Sequence, residues 1–500
     1  MNLNSLIMLL FVTVSVIIYY LIPKRFQPFL LLILSIIYYI SNGFGAFFFI
    51  LTTAVTTYLA GLALSRENED KKRRVITALT LIFNFGILFV LKYTNFIILN
   101  LEAFFPGKLR TFEWMLPLGI SFYTFQSMGY LLDVCWKRIE AEKSFFRFAL
   151  FVSFFPQIMQ GPIGRYSRLA DQLYAEREFD MARIERGLYR IVWGFFKKIV
   201  IADNAVLYVD AIFDNYNTMP GYGIMGILLY GAQLYADFSG GIDIVIGIAE
   251  MLGITLDENF TQPFFATSIT DFWHRWHITL GTWMKDYLFY PVTLSRWMGK
   301  FGKWCRTKFG KNIGRALPIC LANIIVFLVV GIWHGPAWHN IFYGLYNGVI
   351  IGVSGLLAKN YRDWKKKFGI EKDSRPFYCF QVIRTFILVN ISWYLDRAGS
   401  THQALIMMRD SITKFRIGVD MIDASSTWAG LSYAPLIAAL FGCLVVLIHS
   451  ILRERKIDTR SLLMKKPVVI RCLVLFLLLM SLVVIGNKPL SQGGFIYANF

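Results

Sequence analysis

Long apolar runs separated by short polar turns dominate this chain. A helix needs roughly 20 apolar residues to cross a bilayer, and at least eight runs reach or approach that length. They cover residues 6–21, 44–64, 75–99, 319–333, 341–357, 380–395, 436–452 and 468–485. No basic residue precedes the first run and no small-residue cleavage site follows it, so we interpret it as a retained span rather than a signal peptide. The pattern predicts an all-α, polytopic membrane protein.

The pattern changes between residues 156 and 291, where the apolar runs are short and are broken by glycine, proline and charge. Irregular backbone at membrane depth is tolerated only where it is buried in protein or lines a cavity. Residues 168–190 alternate in charge sign, which predicts an interfacial amphipathic helix. Asp237 and Asp243 flank a Ser-Gly-Gly sequence, which predicts a broken helix beside a cavity. These carboxylates either contact a substrate or pair with basic groups and hold the broken helix together.

Composition agrees with a membrane protein, because 56% of the residues are hydrophobic, 17% are aromatic and the mean hydropathy is +0.52. The net charge of +19 would indicate nucleic-acid binding in a soluble protein, but the basic residues concentrate in short loops between the apolar runs. Such loops face the cytoplasm, so we expect no nucleic-acid partner. Placing them inside the cell puts the N-terminus and residues 486–500 outside.

Histidine is concentrated in two motifs. The chain has six histidines, and four of them (His274, His277, His334 and His339) lie in or beside the sequences DFWHRWH and GIWHG. Each of the four is next to a tryptophan. An ionisable group at membrane depth is costly, so it is a functional candidate by default.

His334 is the most informative of these histidines, because it directly ends an apolar run. Gly331 and Gly335 flank it, and their small size predicts room for a substrate. Imidazole titrates near pH 6.5, which suits proton transfer near neutral pH. We predict that His334 is a catalytic base. The alternative is a structural histidine that is hydrogen-bonded between helices.

The DFWHRWH sequence places Asp271, His274 and His277 at helical spacings of three residues. A carboxylate one turn from a histidine can fix its tautomer. The alternative is an interfacial helix whose tryptophans lie at headgroup level while the histidines face water. The spacing could also hold zinc, but a third protein ligand is missing, and the six cysteines show neither paired nor metal-binding spacing. We therefore expect free thiols and no metal.

Four ordered motifs resemble those of the membrane-bound O-acyltransferase family: FPQIMQGPIGRY (155–166), DFSGGIDIVIG (237–247), DFWHRWHITLGTWMKDYLFYP (271–291) and GIWHG (331–335). Their order and spacing cover residues from about 115 to 350. The chain resembles the bacterial branch that acylates cell-surface polymers, which includes alginate O-acetylases, peptidoglycan O-acetyltransferases and D-alanyl transferases of teichoic acid. The resemblance implies about 10–12 transmembrane helices, some broken or interfacial, around a central tunnel. It also implies a single domain over residues 1–485, followed by an extracellular tail over 486–500.

The resemblance implies that His334 is the central histidine of the family and His277 the second, both lining a tunnel that joins the two membrane faces. His277 would orient the acyl donor or polarise its carbonyl. Two positions depart from the family pattern, since His274 stands where arginine is usual and Gly241 where an aromatic residue is common. We further predict substrate-binding roles for a set of polar and aromatic motif residues: Gln160, Arg165, Asp237, Ser239, Asp243, Trp273 and Trp333.

The implied reaction moves an acetyl group from a cytoplasmic acyl thioester to an extracellular cell-wall polymer or exopolysaccharide, with acetyl-CoA as the expected donor and no bound cofactor. Residues 296–315 hold seven basic residues and no acidic one, which would concentrate a phosphate-bearing donor. D-alanyl transfer to teichoic acid is an alternative within the family. A transporter would be expected to show an inverted repeat, which we do not find in the sequence, and a non-catalytic scaffold is a third alternative.

The sequence closes with FIYANF (495–500), and similar endings occur in the alginate branch of the family. One interpretation is an aromatic anchor at the outer interface. The other is a relay, in which Tyr497 accepts the acyl group on its phenol oxygen and presents it to an extracellular partner. We expect that partner to be an SGNH-hydrolase-like acetyltransferase, and the protein to be a multi-pass protein of a bacterial cell membrane.

Overall fold

The computed structural model describes residues 3, 5–102, 104–107, 109–113, 116–370, 374–416 and 433–486, and these residues are mainly α-helical. Within those ranges a single bridge between Phe260 and Trp276 is the only β-type pairing. The predicted all-α class is therefore confirmed. Tyr497 and the FIYANF sequence lie outside the described residues.

Helices follow one another along the chain with mostly short connections. Those before residue 200 are α1 (Leu6–Leu21), α2 (Gln27–Ile40), α3 (Phe44–Arg66), α4 (Asp70–Glu102), α5 (Ile120–Cys135), α6 (Phe145–Ser153), α7 (Phe155–Gln160), α8 (Tyr166–Tyr174) and α9 (Met181–Phe195). Those up to residue 295 are α10 (Asp203–Asp214), α11 (Gly223–Met251), α12 (Ile269–Arg275), α13 (Ile278–Met284) and α14 (Tyr290–Thr293). The remaining ones are α15 (Arg296–His334), α16 (Trp338–Leu356), α17 (Ala358–Lys367), α18 (Arg375–Arg397), α19 (Thr401–Thr413), α20 (Tyr433–Glu454), α21 (Thr459–Met464) and α22 (Val468–Val484). Two π-helical turns, Phe196–Ala202 and Lys285–Phe289, continue α9 and α13.

Four helices, α3, α4, α15 and α20, are long and apolar enough to cross a membrane. The pair α16 and α17, bent by 57°, would form a fifth span. Other predicted spans, such as α1 and α22, are apolar but have only 16 and 17 residues. Within the described ranges, fewer helices reach spanning length than the ten to twelve expected. Those that do support a multi-pass membrane protein.

The chain folds into two compact units, each assembled from separate stretches of sequence. The first unit comprises the described residues of 1–199, 236–258 and 460–500. The second unit comprises those of 200–235 and 259–459. Because neither unit is continuous in sequence, hydrophobic patterning alone does not reveal the division.

In the first unit, α2, α3, α5 and α6 pack on one another. An aromatic cluster lies between these helices and α8. Its ring centroids are 4.6 Å apart for Tyr130 and Phe148, 4.9 Å for Tyr130 and Tyr166, and 5.0 Å for Phe151 and Tyr166. Aromatic rings bury large apolar areas and favour such tilted and edge contacts, so the cluster stabilises this packing.

The central contact of the second unit is the crossing of α15 and α16. A Cβ atom on Gly331 would lie 2.5 Å from the Asn340 carbonyl oxygen, and one on Gly344 would lie 2.2 Å from the Phe327 carbonyl oxygen. A Cβ atom on Gly335 would meet the Asn340 side chain at 2.6 Å. These glycines allow the two backbones to touch, so the expectation that Gly331 and Gly335 leave room for a substrate is wrong.

The helix α15 is interrupted at Gly310, whose φ of 75° and ψ of 175° are not helical. A Cβ atom on Gly314 would lie 2.4 Å from Arg306 Cα, so the chain folds back on itself at this point. Glycine supplies the positive φ that the reversal needs. The basic segment 296–315 is therefore largely helical, which corrects the prediction that it is a loop between spans.

Two further predictions about the middle of the chain are wrong. Residues 168–190 belong to two helices, α8 and α9, because the chain is extended at Ala175 and the Asp180 side chain caps the start of α9. The Ser-Gly-Gly sequence does not break α11, which is continuous. Gly240 instead lets α11 approach the Gly194 carbonyl oxygen, which a Cβ atom would meet at 2.8 Å.

Candidate active site

His334 is the last residue of α15 and is buried. Its Nδ1 lies 3.3 Å from Oδ1 of Asp396 on α18. The Tyr230 hydroxyl donates a hydrogen bond to the other carboxylate oxygen, Oδ2, at 2.7 Å. These groups meet because α16 packs against both α15 and α18. The result is a chain of three side chains from phenol to carboxylate to imidazole.

This arrangement prepares His334 to accept a proton. A carboxylate beside Nδ1 keeps a proton on that nitrogen, so the lone pair of Nε2 is the basic site. The negative charge of Asp396 stabilises the imidazolium that forms after proton transfer, and so do the terminal carbonyl groups of α15. The geometry therefore suits a general base.

His277 lies between α12 and α13 with φ 46° and ψ 52°, a left-handed conformation that is uncommon for a residue other than glycine. The fully buried Asn259 holds it there. Asn259 Oδ1 accepts hydrogen bonds from the backbone N–H and the hydroxyl of Thr279, at 3.0 and 2.9 Å, and lies 3.3 Å from His277 Nδ1. Uncommon backbone conformations that the surroundings maintain occur often at functional sites.

The same contacts define the tautomer of His277. A backbone N–H can only donate, so the Asn259 atom that faces Thr279 is the amide oxygen, and His277 Nδ1 carries the proton directed at it. Nε2 of the neutral ring is then a hydrogen-bond acceptor. Burial lowers the pKa of His277 well below its ordinary value, and the neighbouring His334 lowers it further. His277 is therefore neutral at physiological pH.

Trp333 brings the two histidines into one site. The centroid of its ring lies 5.8 Å from that of His277 and 5.2 Å from that of His334. The ring of Tyr343 lies 5.0 Å from that of His334. All four side chains are buried, so both motifs contribute imidazole to an aromatic, water-poor environment in which electrostatic interactions are strong.

The family model of the membrane-bound O-acyltransferases matches residues 34–395, which include both histidines. The chain belongs to this family. A probable alginate O-acetylase of Pseudomonas syringae pv. tomato is 33% identical over 409 residues, which cover 80% of this chain and 73% of the relative. A peptidoglycan O-acetyltransferase of Helicobacter pylori is 32% identical over 385 residues, or 72% of this chain and 68% of the relative. A teichoic acid D-alanyltransferase of Bacillus subtilis is 29% identical over 290 residues, or 57% and 69%.

Membership confirms the resemblance drawn from the four motifs and makes the protein an O-acyltransferase of the membrane. Among the classes of protein that the sequence left open, the family and the names of the relatives support an enzyme rather than a transporter or a scaffold. The matched region extends the resemblance beyond residues 115–350 in both directions.

Trp273, a predicted substrate-binding residue of this O-acyltransferase, supports the wall of the histidine site. Its indole N–H donates to Asn347 Oδ1 at 3.2 Å. Its ring centroid lies 5.2 Å from that of Phe327 and 6.4 Å from that of Tyr343, whose ring also contacts His334. The structure thus brings together His334, His277, Trp333 and Trp273 from the predicted set.

Three predicted substrate-binding residues lie on α11, in the part that belongs to the first unit of the O-acyltransferase. Each of them contacts a buried cation that lies at the end of α9 or in the π-helical turn that follows. The contacts are Asp237–Lys198 at 2.6 Å, Ser239–Lys197 at 2.8 Å, Asp243–Lys197 at 2.7 Å and Asp243–Arg190 at 2.9 Å. A buried charge must be paired to be tolerated. The pairing foreseen as an alternative for both aspartates is therefore present, although it ties α11 to α9 and not the halves of a broken helix.

Gln160 and Arg165 also belong to the first unit. Gln160 ends α7 with only 1% of its surface exposed, and its side-chain amide makes no hydrogen bond with a described residue. An amide in that state costs about 1–3 kcal/mol, which a bound polar group would offset. Arg165 precedes α8 and lines, with Arg168, a cavity of about 140 Å³.

The other motif histidines lie outside the site. His274 is exposed, and Asp271 pairs with Arg275 at 3.0 Å. The expectation that Asp271 fixes a histidine tautomer is therefore wrong, because its carboxylate accepts from Arg275 and from the Thr267 N–H, and His277 lies beyond the end of α12. His339 Nδ1 lies 2.8 Å from the Leu395 carbonyl oxygen and links α16 to α18. No group of three or more His, Cys, Asp or Glu side chains in the described ranges has a metal-binding arrangement.

Sequence reasoning missed Asp396, Asn259 and Tyr230. Asp396 directly follows the apolar run 380–395, so the argument that selected His334, an ionisable group at the end of such a run, would have found it. It lies one position beyond the region that matches the family. Asn259 and Tyr230 carry no comparable signal, because uncharged polar residues are common in helices and loops.

Proposed function

We propose that the protein transfers an acetyl group from a cytoplasmic acyl thioester, acetyl-CoA, across the membrane for O-acetylation of an extracellular cell-wall polymer or exopolysaccharide. The observation that carries this proposal is the buried His334–Asp396 pair, which shares Trp333 with His277 in a membrane-bound O-acyltransferase. The names of the relatives, an alginate O-acetylase and a peptidoglycan O-acetyltransferase, support acetyl as the group and a polysaccharide as the acceptor.

In the proposed reaction His334 is the general base. The acceptor oxygen attacks the thioester carbonyl carbon while its proton passes to His334 Nε2, and the departing thiolate takes that proton from the imidazolium. A placed base of this kind contributes a factor of about 10² to 10⁴. Asp396 stabilises the imidazolium during the step, and the aromatic surroundings exclude water that would hydrolyse the thioester.

His277 is proposed to orient the reactants through Nε2. Its tautomer makes Nε2 an acceptor, so it can hold an amide N–H of the donor, while the single proton of the attacking hydroxyl is directed at His334. Polarising the thioester carbonyl would instead need an N–H at that position. Orientation is therefore the better supported of its two predicted roles, with Trp333 and Trp273 forming the surrounding walls.

The remaining proposed substrate-binding residues differ in the contacts that they make in the fold. Gln160 offers an amide whose hydrogen-bonding groups are buried, and Arg165 lines a cavity of its own. Asp237, Ser239 and Asp243 would have to exchange the contacts that they make with lysine and arginine. The positive charge of residues 296–315 would concentrate the donor at the cytoplasmic side.

The tail completes the proposed pathway. We propose that both termini lie outside the cell, and that Tyr497 receives the acetyl group on its phenol oxygen. A phenyl ester is more reactive than an alkyl ester, which suits a relay to an SGNH-hydrolase-like partner that acetylates the polysaccharide. The similar endings of alginate-branch proteins motivate this part of the proposal.

Incubation of the purified protein with acetyl-CoA labelled in the acetyl group tests the chemistry. The wild-type protein should cleave the thioester or become labelled, and His334→Ala should not. The matched control is His274→Ala, which removes an exposed histidine from the other motif and should retain activity. Full activity of His334→Ala would refute the assignment of the base.

The relay has its own test in cells. Deleting residues 495–500, or changing Tyr497→Phe, should leave the abundance of the protein unchanged and abolish polymer acetylation. Measuring thioester cleavage by the purified Tyr497→Phe protein tests the base chemistry separately from the transfer to Tyr497. Normal polymer acetylation in either variant would eliminate the relay.

D-alanyl transfer is the second candidate, because a teichoic acid D-alanyltransferase is 29% identical over 57% of this chain. The two donors can be compared directly. Turnover of acetyl-CoA by the purified protein favours acetyl transfer, whereas turnover only of a D-alanyl thioester on a carrier protein would establish the alternative.

A further inference from the structure

The part of α15 before Gly310, residues 296–309, forms a separate helical arm that we call the basic arm. Ser295 caps its start, since its Oγ accepts a hydrogen bond from the Met298 N–H at 3.3 Å. Gly310 ends it with a φ of 75°. The basic arm belongs to the second unit. The acyl transfer proposed above uses its charge only to raise the local concentration of the donor, and places no donor-binding site on its surface.

One face of the basic arm is buried. Met298, Gly302 and Cys305 are spaced as i, i+4 and i+7, and all three are buried. A Cβ atom on Gly302 would lie 3.4 Å from Pro318, which belongs to the part of α15 after the break. Residues with this spacing share one side of a helix, so that side of the basic arm rests on the rest of α15.

The second face is aromatic, with two exposed tryptophans and a half-buried phenylalanine between them. Trp297, Phe301 and Trp304 have the same i, i+4 and i+7 spacing, displaced by one residue. Trp297 is 49% exposed and Trp304 is 54% exposed, and the rings of Phe301 and Trp304 stack at 5.8 Å. Tryptophan is enriched at the boundary between hydrocarbon and water. An exposed row of aromatic side chains on a membrane protein therefore points to the bilayer surface.

The third face is basic and lies opposite the buried one. Arg296, Lys300 and Lys303 form its centre at the same spacing, and Arg306 lies at its edge. All four are exposed, the arm holds no acidic residue, and none of them makes an ion pair within the described part of the chain. Their charge is thus available to an anionic surface.

We propose that the basic arm lies in the headgroup layer of the bilayer and binds the phosphate groups of anionic phospholipids. An amphipathic helix with a basic face and tryptophan beside it binds membranes by burying the aromatic side chains and by attraction to anionic lipid. Each lysine or arginine near such a surface adds to the attraction. The occupant is a membrane lipid, since a soluble anion would bind the basic face without using the aromatic one.

The helix α17 provides a matched comparison. It exposes Lys366 and Lys367 beside Lys365, so three lysines can be neutralised there as well. It also exposes Tyr361 and Trp364, so it resembles the basic arm in shape. It differs in charge, because it carries Asp363 and because Lys365 already lies 4.5 Å from the centroid of the Phe377 ring. We therefore expect α17 to contribute less to the binding of anionic lipid.

The test uses the full-length protein, purified and delipidated in a neutral detergent. It is titrated with phosphatidylglycerol or phosphatidylcholine, and bound lipids are counted by native mass spectrometry. The wild-type protein should prefer phosphatidylglycerol. The triple variant Lys300→Gln/Lys303→Gln/Arg306→Gln should lose roughly tenfold or more of its affinity for this lipid. The control Lys365→Gln/Lys366→Gln/Lys367→Gln should lose less than about threefold.

Two further measurements keep the result interpretable. The thermal unfolding midpoints of both triple variants show whether they are folded. The variant Trp297→Ala/Trp304→Ala retains all charges and should also bind phosphatidylglycerol more weakly. The proposal is overturned if the wild-type protein shows no lipid preference, or if the control loses as much as the arm variant. It is also overturned if free acetyl-CoA displaces phosphatidylglycerol from the arm, because the basic face would then be a donor site.

Discussion

His334 and His277 contact the same indole ring but have opposite surroundings. His334 ends α15 and faces the carboxylate of Asp396, whereas His277 precedes α13 and directs its proton at the neutral amide of Asn259. A carboxylate and a helix C-terminus favour an imidazolium, and an amide and a helix N-terminus favour a neutral ring. Like side chains are thereby prepared for different chemistry, which is how one site can hold both a base and an orienting group.

Replacing each histidine by glutamine should give the largest difference in kcat between the two positions, because glutamine retains a hydrogen-bond acceptor but cannot take a proton. His334→Gln should lower kcat about 10²- to 10⁴-fold, since the base is lost. His277→Gln should lower it only about tenfold, since an acceptor remains. Acetyl-CoA turnover by the purified variants measures both. Equal losses would show that the two histidines do not have the distinct roles assigned to them.

The next largest effect is expected from Asp396→Asn, which removes the charge beside His334 and keeps the shape. The kcat should fall about 10- to 100-fold, because hydrogen bonds to charged groups contribute about 1.5–3 kcal/mol. Acetyl-CoA turnover by the purified variant measures this loss.

A matched control for that variant is Asp410→Asn, which alters a carboxylate of the same unit that pairs with Lys414 at 3.1 Å. It should leave kcat unchanged. If Asp410→Asn lowers kcat as much as Asp396→Asn does, then the loss reports a general effect on structure, and the comparison between the two histidines fails on that side.

The contact between His277 and the Asn259 amide can be tested with Asn259→Ala. The Thr279 N–H and hydroxyl would lose their acceptor in a buried environment, which should cost about 1–3 kcal/mol of stability. The thermal unfolding midpoint measures this loss. The kcat should also fall, because His277 would no longer be held in one tautomer. An unchanged kcat would mean that the Asn259 amide does not prepare His277 for its role.

The smallest effect is expected from Tyr230→Phe, which removes one hydrogen bond to Asp396. A net contribution of about 0.5–1.5 kcal/mol corresponds to a loss in kcat of roughly two- to tenfold. Tyr394→Phe is the control, because the Tyr394 hydroxyl bonds Ser411 and not the carboxylate. If both variants behave alike, the phenol contributes nothing specific to the site.

The sequence predicted the class of the fold and the two histidines because both signals are local. Twenty consecutive apolar residues define a span, and an imidazole at the end of such a run is conspicuous. Packing contacts between helices could not be predicted from such local signals. Gly331 looked like open space beside His334, yet it lies where the α15 backbone touches α16. The Ser-Gly-Gly sequence looked like a helix break, yet it lets α11 pass close to α9.

The sequence by itself determined that this protein lives in a membrane, that it is helical, that it belongs with the O-acyltransferases and that His334 and His277 are its main candidates for chemistry. Only the tertiary structure decided what distinguishes those two residues. Asp396 and Asn259 reach them across the fold, at 3.3 Å in both cases. The protonation of an imidazole depends on charges and hydrogen bonds within a few ångströms, and such distances are properties of the folded chain and not of the order of its residues.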